Sequence, residues 1–287
     1  MDVTTRIETV RERVDAARAA GKRIGFVPTM GALHAGHVSL MEAAGRRCEY
    51  VVVSIFVNPT QFGPNEDFDA YPRDITADRQ ICESAGVELV FAPGVGDMYP
   101  SRNLTWVTVE SLTEGLCGRH RRGHFRGVTT VCNKLFNIVR PDAAFFGQKD
   151  AQQAIVVKRM VADTNLPLEV AICPTLREAD GLAMSSRNVY LSTGERADAL
   201  LLYRALTKAE SMVRQGERNC SQLVSAMRAV MQSGAVVVEY ISIVDTETLY
   251  DLAEIEDVAL IAVAARVGKT RLIDNIVVDL NKPQGAI

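Results

Sequence analysis

Two of the chain's four histidines stand three residues apart in Pro28-Thr29-Met30-Gly31-Ala32-Leu33-His34-Ala35-Gly36-His37. An imidazole can donate a hydrogen bond to a phosphate oxygen. Two at one spot suit oxygens whose negative charge grows in a transition state. The flanks indicate where they stand. Ile24-Gly25-Phe26-Val27 is a short apolar run, and Val38-Ser39-Leu40-Met41-Glu42-Ala43-Ala44 is apolar at helical spacing. The decapeptide therefore reads as strand, glycine-rich turn and helix start. A helix start presents unpaired N–H groups and the positive end of the macrodipole, so it favours an anion. Gly36, lacking Cβ, lets a flat base or ribose pack against the backbone. As ordinary polar residues, His34 and His37 would simply cap a helix; the strand–turn–helix setting favours a phosphate site.

Four more segments carry polar groups suited to the same work. Asp180-Gly181-Leu182-Ala183-Met184-Ser185-Ser186-Arg187-Asn188 holds two hydroxyls, a guanidinium and an amide in a predicted loop. Serines bond phosphate oxygens and Arg187 neutralises them with a fork of donors; alone, such a loop is an ordinary solvated turn. Phe145-Phe146-Gly147-Gln148-Lys149-Asp150-Ala151-Gln152-Gln153 follows a predicted strand. There Lys149 supplies a compact charge, and Asp150 either accepts from a ribose hydroxyl or caps the next helix. Ser54-Ile55-Phe56-Val57-Asn58-Pro59-Thr60-Gln61-Phe62-Gly63 presents two neutral amides, able to bond hydroxyls and a carboxylate without adding charge. Arg119-His120-Arg121-Arg122-Gly123-His124-Phe125-Arg126-Gly127 is the strongest basic focus and reads as a flexible flap over polyphosphate. Asp67, Asp69, Asp74 and Asp78 are irregularly spaced and read as a solvated face rather than a metal cluster.

These segments need a frame. Val3, Ile7, Val10, Val14 and Ala17 predict an amphipathic helix from about Thr4 to Ala20. Strand-like runs recur at Ile24–Val27, Tyr50–Phe56, Glu88–Phe91, Ala143–Phe146 and Leu168–Cys173, with helical patterns between most of them. The Val/Ile-rich run at 50–56 suits a strand buried on both faces, as in a parallel sheet. Alternation with short joints predicts an α/β, doubly wound parallel sheet over residues 1–175. After Pro174 come a loop, two helical stretches and three closely spaced strand candidates. Residues 176–287 thus read as a second, smaller α+β domain covering the site.

The 287 residues supply ample core, and 32 basic against 35 acidic side chains argue against a general nucleic-acid surface. Six scattered cysteines without a C-x-x-C pair, and no secretory signal, suggest reduced thiols in a cytoplasm. The apolar runs are too short for a membrane span.

His34-Ala35-Gly36-His37 matches the H-x-G-H of nucleotidyltransferases and class I aminoacyl-tRNA synthetases, and the Ser185-Ser186-Arg187 loop looks like their mobile K-M-S-K-S loop. All five segments in this order, with Ala264-Ala265-Arg266-Val267-Gly268-Lys269-Thr270-Arg271-Leu272-Ile273-Asp274-Asn275, resemble the pantoate–β-alanine ligase family. The resemblance implies a Rossmann-like amino domain, a smaller carboxy domain, a homodimer, and condensation of pantoate with β-alanine through a pantoyl adenylate. ATP is the co-substrate, with Mg²⁺, and AMP and pyrophosphate leave. It assigns pantoate to Gln61 and Gln153, with Met30 and Asn58 shaping the pocket. It assigns ATP to Met30, Gly36, His37, Gly147, Lys149, Asp150, Met184, Ser185, Ser186 and Arg187. Catalysis falls to His34, His37, Lys149, Ser185, Ser186 and Arg187, with no protein metal ligand identified.

Four positions depart from the family's usual pattern: Gln148 and Cys117 replace acids, Ala151 an aromatic and Arg122 a proline. Altered affinity or packing is expected from Gln148 and Ala151, with the chemistry kept. Two other readings compete. One is a different H-x-G-H nucleotidyltransferase, which has no need of the paired amides at 58 and 61. The other is a nucleotide sensor that lost the reaction, against which the intact polar set argues.

Overall fold

Alternation of buried strands and amphipathic helices governs the first 173 residues of the computed structural model, which describes residues 1–64 and 66–281. The elements in chain order are β1 (Asp2–Thr4), α1 (Ile7–Ala19), β2 (Ile24–Thr29), α2 (Ala35–Gly45), β3 (Tyr50–Ile55), α3 (Ile75–Ser84) and β4 (Leu89–Phe91). Then follow α4 (Val95–Met98), α5 (Leu116–His120), α6 (His124–Val139), β5 (Ala143–Gly147), α7 (Ala151–Asp163) and β6 (Glu169–Cys173). The six strands form one parallel sheet in the order β1-β4-β3-β2-β5-β6. From β2 onward this is the Rossmann-type order, in which the chain reverses its winding between β2 and β5.

The sheet is dry on both faces. Val10, Val14, Phe26, Phe136, Phe146 and Val157 belong to one core, under α1, α6 and α7. Val27, Leu40, Met41, Val53, Cys82 and Phe145 form the other, under α2 and α3. Each large side chain so buried contributes on the order of 1.5–3 kcal/mol. Neighbouring residues of β2, Phe26 and Val27, go to opposite cores, as strand pleating requires.

The remaining elements are α8 (Thr193–Arg214), α9 (Cys220–Met231), β7 (Val236–Asp245), β8 (Val258–Val267) and β9 (Thr270–Asp279). The three strands make an antiparallel sheet in sequence order. Ile261, Val263 and Ala265 of β8 pack under α8 and α9, while Leu260 and Ala262 join the core of the first sheet. The small sheet is thus wedged between its own helices and the larger unit.

Most predicted boundaries agree with the structure within two residues; three features differ. Residues 2–4 form an edge strand paired with β4, Val3 opposite Val90, where the spacing predicts a helix from near Thr4. Three residues are too few for strand periodicity to show, and Val3 happens to fall in step with the helix. Helix α6 starts at His124, inside the basic run. That run is the end of α5, a turn and the first turn of α6, with His124 and Phe125 buried, rather than a free flap. Asp78 is 3% exposed, so it is no part of a solvated face. Among the described residues no helix is long and apolar enough to cross a membrane.

Helix α6 crosses the turn at residues 59–61 through Gly127, where a Cβ would press on the Thr60 carbonyl and lie 2.7 Å from Gln61 Cα. Backbone on backbone cannot yield as a flexible side chain can. Gly127→Ala is expected to cost on the order of 1–3 kcal/mol, seen as a lower urea midpoint; an unchanged midpoint would show that the crossing is loose.

Candidate active site

The turn after β2 is shaped from behind. Gly31 and Ala32 both take left-handed φ, +83° and +50°. The Asp78 carboxylate, arriving from α3, accepts the backbone N–H of Ala32 at 3.1 Å and of Leu33 at 2.8 Å. A Cβ on Gly31 would lie 2.7 Å from that carboxylate, so the left-handed φ and the close approach both ask for glycine. Burial pushes the Asp78 carboxyl above its ordinary pKa, with the two N–H donors acting in the opposite sense.

The turn delivers His34 as the N-cap of α2. Its Nδ1 accepts the Gly36 N–H at 3.1 Å, and the His34 N–H is donated to His37 Nδ1 at 3.3 Å, a reciprocal capping box built from two imidazoles. The ring centroids are 4.1 Å apart. Burial lowers the His34 pKa to about 4, helped by Lys149, and lowers His37 to about 3, helped by His34. Both rings are therefore neutral near pH 7. With each Nδ1 accepting from backbone, the ring proton resides on Nε2, so each ring offers one N–H donor.

Across the winding reversal, the end of β5 leads into a tight turn at residues 148–150 that carries Lys149 and Asp150. Lys149 Nζ lies 3.7 Å from Asp150 Oδ2. Gln153 follows on the first turns of α7. On the other flank, Gln61 Oε1 accepts from Asn58 Nδ2 at 3.1 Å while its Nε2 donates to Met30 Sδ at 3.1 Å. Asn58, 1% exposed, also bonds the Gly127 carbonyl and the Tyr99 hydroxyl. It thus stands behind Gln61 and off the cleft wall. His124 accepts from Arg121 Nη1 at Nε2 (2.9 Å), leaving Nδ1 to donate to the Gln61 carbonyl at 2.8 Å. Burial lowers its pKa to about 4.

The loop between β6 and α8 closes the ring of groups. Met184 Sδ accepts the Gly36 N–H at 3.2 Å, joining this loop to the histidine turn. Ser185 caps the turn at 186–190 by accepting the Arg187 N–H. Arg187 forks onto Asp67, with Nη2 to Oδ1 at 2.9 Å and Nε to Oδ2 at 3.2 Å. Glu66 holds Arg121 in the same way, at 2.6 and 2.7 Å.

The resulting cleft has two lobes of about 250 Å³ and 920 Å³ that share walls at Lys149, Asp150, Gln153, Ser185 and Arg187. Met30, His34, Gly36, His37, Gln61, Gly147, Met184 and Ser186 also line the smaller lobe, so every expected site residue but Asn58 lines it. Asp78, Glu66, Asp67 and the β9 pair Asp274-Asn275 are additions that sequence reasoning missed. Their partners lie far away along the chain, beyond any local pattern. Among the four departures, Gln148 bonds Asn275, and Cys117 Sγ lies 3.2 Å from the Tyr240 hydroxyl. Ala151 is buried in the first core and Arg122 is exposed.

A family model described as pantoate-beta-alanine ligase matches residues 2–277. The pantothenate synthetase of Thermoanaerobacter pseudethanolicus is 54% identical over 277 residues, covering 96% of this chain and 98% of its own. The crystal structure of pantothenate synthetase from Thermus thermophilus superposes with a TM-score of 0.90 at 45% identity, over 96% of this chain and 99% of that one. Pantoate-beta-alanine ligase from Francisella tularensis, complexed with beta-gamma ATP and beta-alanine, gives 0.77 at 34% identity, over 96% and 97%.

Three imidazoles, His124 buried and His34 and His37 half-buried, fix the sign of a pH effect. Their folded-state pKa values lie below the ordinary 6.5. Between about pH 6.5 and 4 the unfolded chain binds protons that the folded chain refuses, and stability falls as pH drops. The urea midpoint is expected to decline over this window, more steeply in the unmodified protein than in a His34→Asn/His37→Asn variant. Equal slopes would contradict neutral burial.

Proposed function

Because the chain belongs to the pantoate–β-alanine ligase family, we propose that its cleft joins pantoate to an adenylyl group before β-alanine arrives. The protein is a C–N ligase that condenses pantoate with β-alanine using ATP. A free carboxylate is a poor acyl donor because oxide is a hopeless leaving group. Activation therefore comes first. A pantoate carboxylate oxygen attacks the α-phosphorus, the bond to the β-phosphate oxygen breaks, and pyrophosphate departs. The β-alanine amine then attacks the acyl carbon, AMP leaves, and solvent takes the surplus proton.

The observation that carries this reading is the pair of neutral imidazoles at the winding reversal, facing the same small lobe as Lys149 and Arg187. Their Nε2–H donors stabilise charge growing on the α-phosphate oxygens, while Lys149, Ser185, Ser186 and Arg187 hold the departing pyrophosphate. Gln61 and Gln153 bind pantoate, with Met30 beside them and Asn58 acting from behind through Gln61. Gly36, Gly147, Asp150 and Met184 receive the nucleoside. The relative that holds beta-gamma ATP and beta-alanine together supports one cleft for both.

Mg²⁺ enters as MgATP. Such an ion keeps mostly water and phosphate oxygens, needing one or two carboxylates at most. Asp67 on the cleft wall fits that need once the phosphates draw Arg187 from it, and among the described residues no group of three or more His, Cys, Asp or Glu side chains could hold a metal ion. Residues 1–175 act as the ATP- and pantoate-binding domain and 176–287 as its cover. The working form is a homodimer, to be checked by sedimentation.

Exchange of labelled pyrophosphate into ATP, with Mg²⁺ and pantoate but no β-alanine, tests the order of events. Pantoate-dependent exchange is expected, and His34→Ala should reduce it by roughly 10²–10³. Silence without β-alanine, with AMP formed only on its addition, would overturn the separate adenylate.

A further inference from the structure

Strand β9 carries two adjacent polar residues, Asp274 and Asn275, that are 4% and 5% exposed. Neighbours on a strand point to opposite faces. Here each face meets a different half of the cleft. Asn275 reaches the first domain, where Nδ2 donates to the carbonyls of Gln148 and Lys149, both at 2.9 Å. Its Oδ1 accepts from Gln148 Nε2, also at 2.9 Å. Both amide protons and the amide oxygen are thus spent on the turn that projects Lys149.

Asp274 reaches the other way. It receives the Arg177 fork at 2.7 and 3.0 Å, and the Arg177 guanidinium lies 3.9 Å from the Tyr203 ring centroid. Arg177 also donates to the Gly181 carbonyl and pairs by backbone with Ala183, so it anchors the hairpin leading to Ser185 and Arg187. The two residues are tied together, since Asp274 Oδ1 accepts the Asn275 N–H at 2.8 Å.

We propose that Asp274 and Asn275 are positioning residues for the ligase reaction. The dipeptide is a rigid gauge that sets the spacing between Lys149, carried by the first domain, and the Ser185–Arg187 loop, carried by the second. The inference rests on the reading of Lys149 and Arg187 as phosphate-binding groups. An amide suits position 275 and a carboxylate does not, because the two carbonyls there need donors. A misplacement of about 1 Å at a reacting centre can cost 10²-fold in rate.

The test is a pair of double-mutant cycles read by pyrophosphate exchange. Asn275→Ala is expected to lower kcat by about 10- to 100-fold, with little change in the KM for pantoate. In a Lys149→Ala background it should lower kcat no further, because its effect passes through Lys149. Asp274→Asn should likewise lose its effect in an Arg187→Ala background. A folded Asn275→Ala protein with unchanged kcat, or losses that multiply in both cycles, would overturn the proposal. Should Asn275→Ala fail to fold, the near-isosteric Asn275→Asp is read in the same cycle against the same two outcomes. If Lys149→Ala alone exchanges at the normal rate, the phosphate-site reading itself has failed, and that variant reveals it independently.

Discussion

Strands β2 and β5 are neighbours paired near their amino ends, Gly25 with Ala143 and Phe26 with Ala144, while the helices that follow them go to opposite faces of the sheet. Nothing can bridge the gap between those departing helices, so a crevice must open there. Both strand ends are fixed by dry cores above and below, which makes the crevice as rigid as the sheet. The histidine turn and the Lys149 turn inherit that rigidity. Everything else in the cleft comes to them from elsewhere in the chain: Gln61 from the turn after β3, Arg187 from the second unit, Asp78 from behind.

Burial then decides the electrostatics. Half-buried on the cleft wall, the two imidazoles are held neutral and become simple donors of fixed direction. Such donors need no reorganisation when charge appears on a phosphate, which is where preorganised dipoles outperform solvent. The same burial leaves the two polar residues of β9 with no water to turn to, so their bonds to the flanking segments are obligatory.

Local pattern carries most of this into view. Strand runs at 24–27, 50–56 and 143–146 are legible because parallel strands buried on both faces are apolar throughout. The motifs are legible because chemistry confines residue types to short stretches. Long-range partnership is not. Asp78 and Asp67 look alike in sequence, two acids in a polar stretch, yet one is buried against the Ala32 and Leu33 amides and the other meets a guanidinium 120 residues on. Asn58 is legible as polar and near the site, but only its bonds to Gln61, Gly127 and Tyr99 show that it faces inward. The basic run at 119–127 reads as a flap because its charge hides the buried pair His124-Phe125 and the Glu66 partner of Arg121.

The ion pairs of the cleft have a further meaning. Lys149 stands beside Asp150 and Arg187 beside Asp67, so under the proposed function each phosphate-binding cation starts out with a counter-ion. A weakly charged anion gains little by displacing those carboxylates. A triphosphate, with several charges arriving at once on one backbone, can exchange both partners together. Under the proposed function, then, selectivity in this cleft begins with the number of charges a visitor brings.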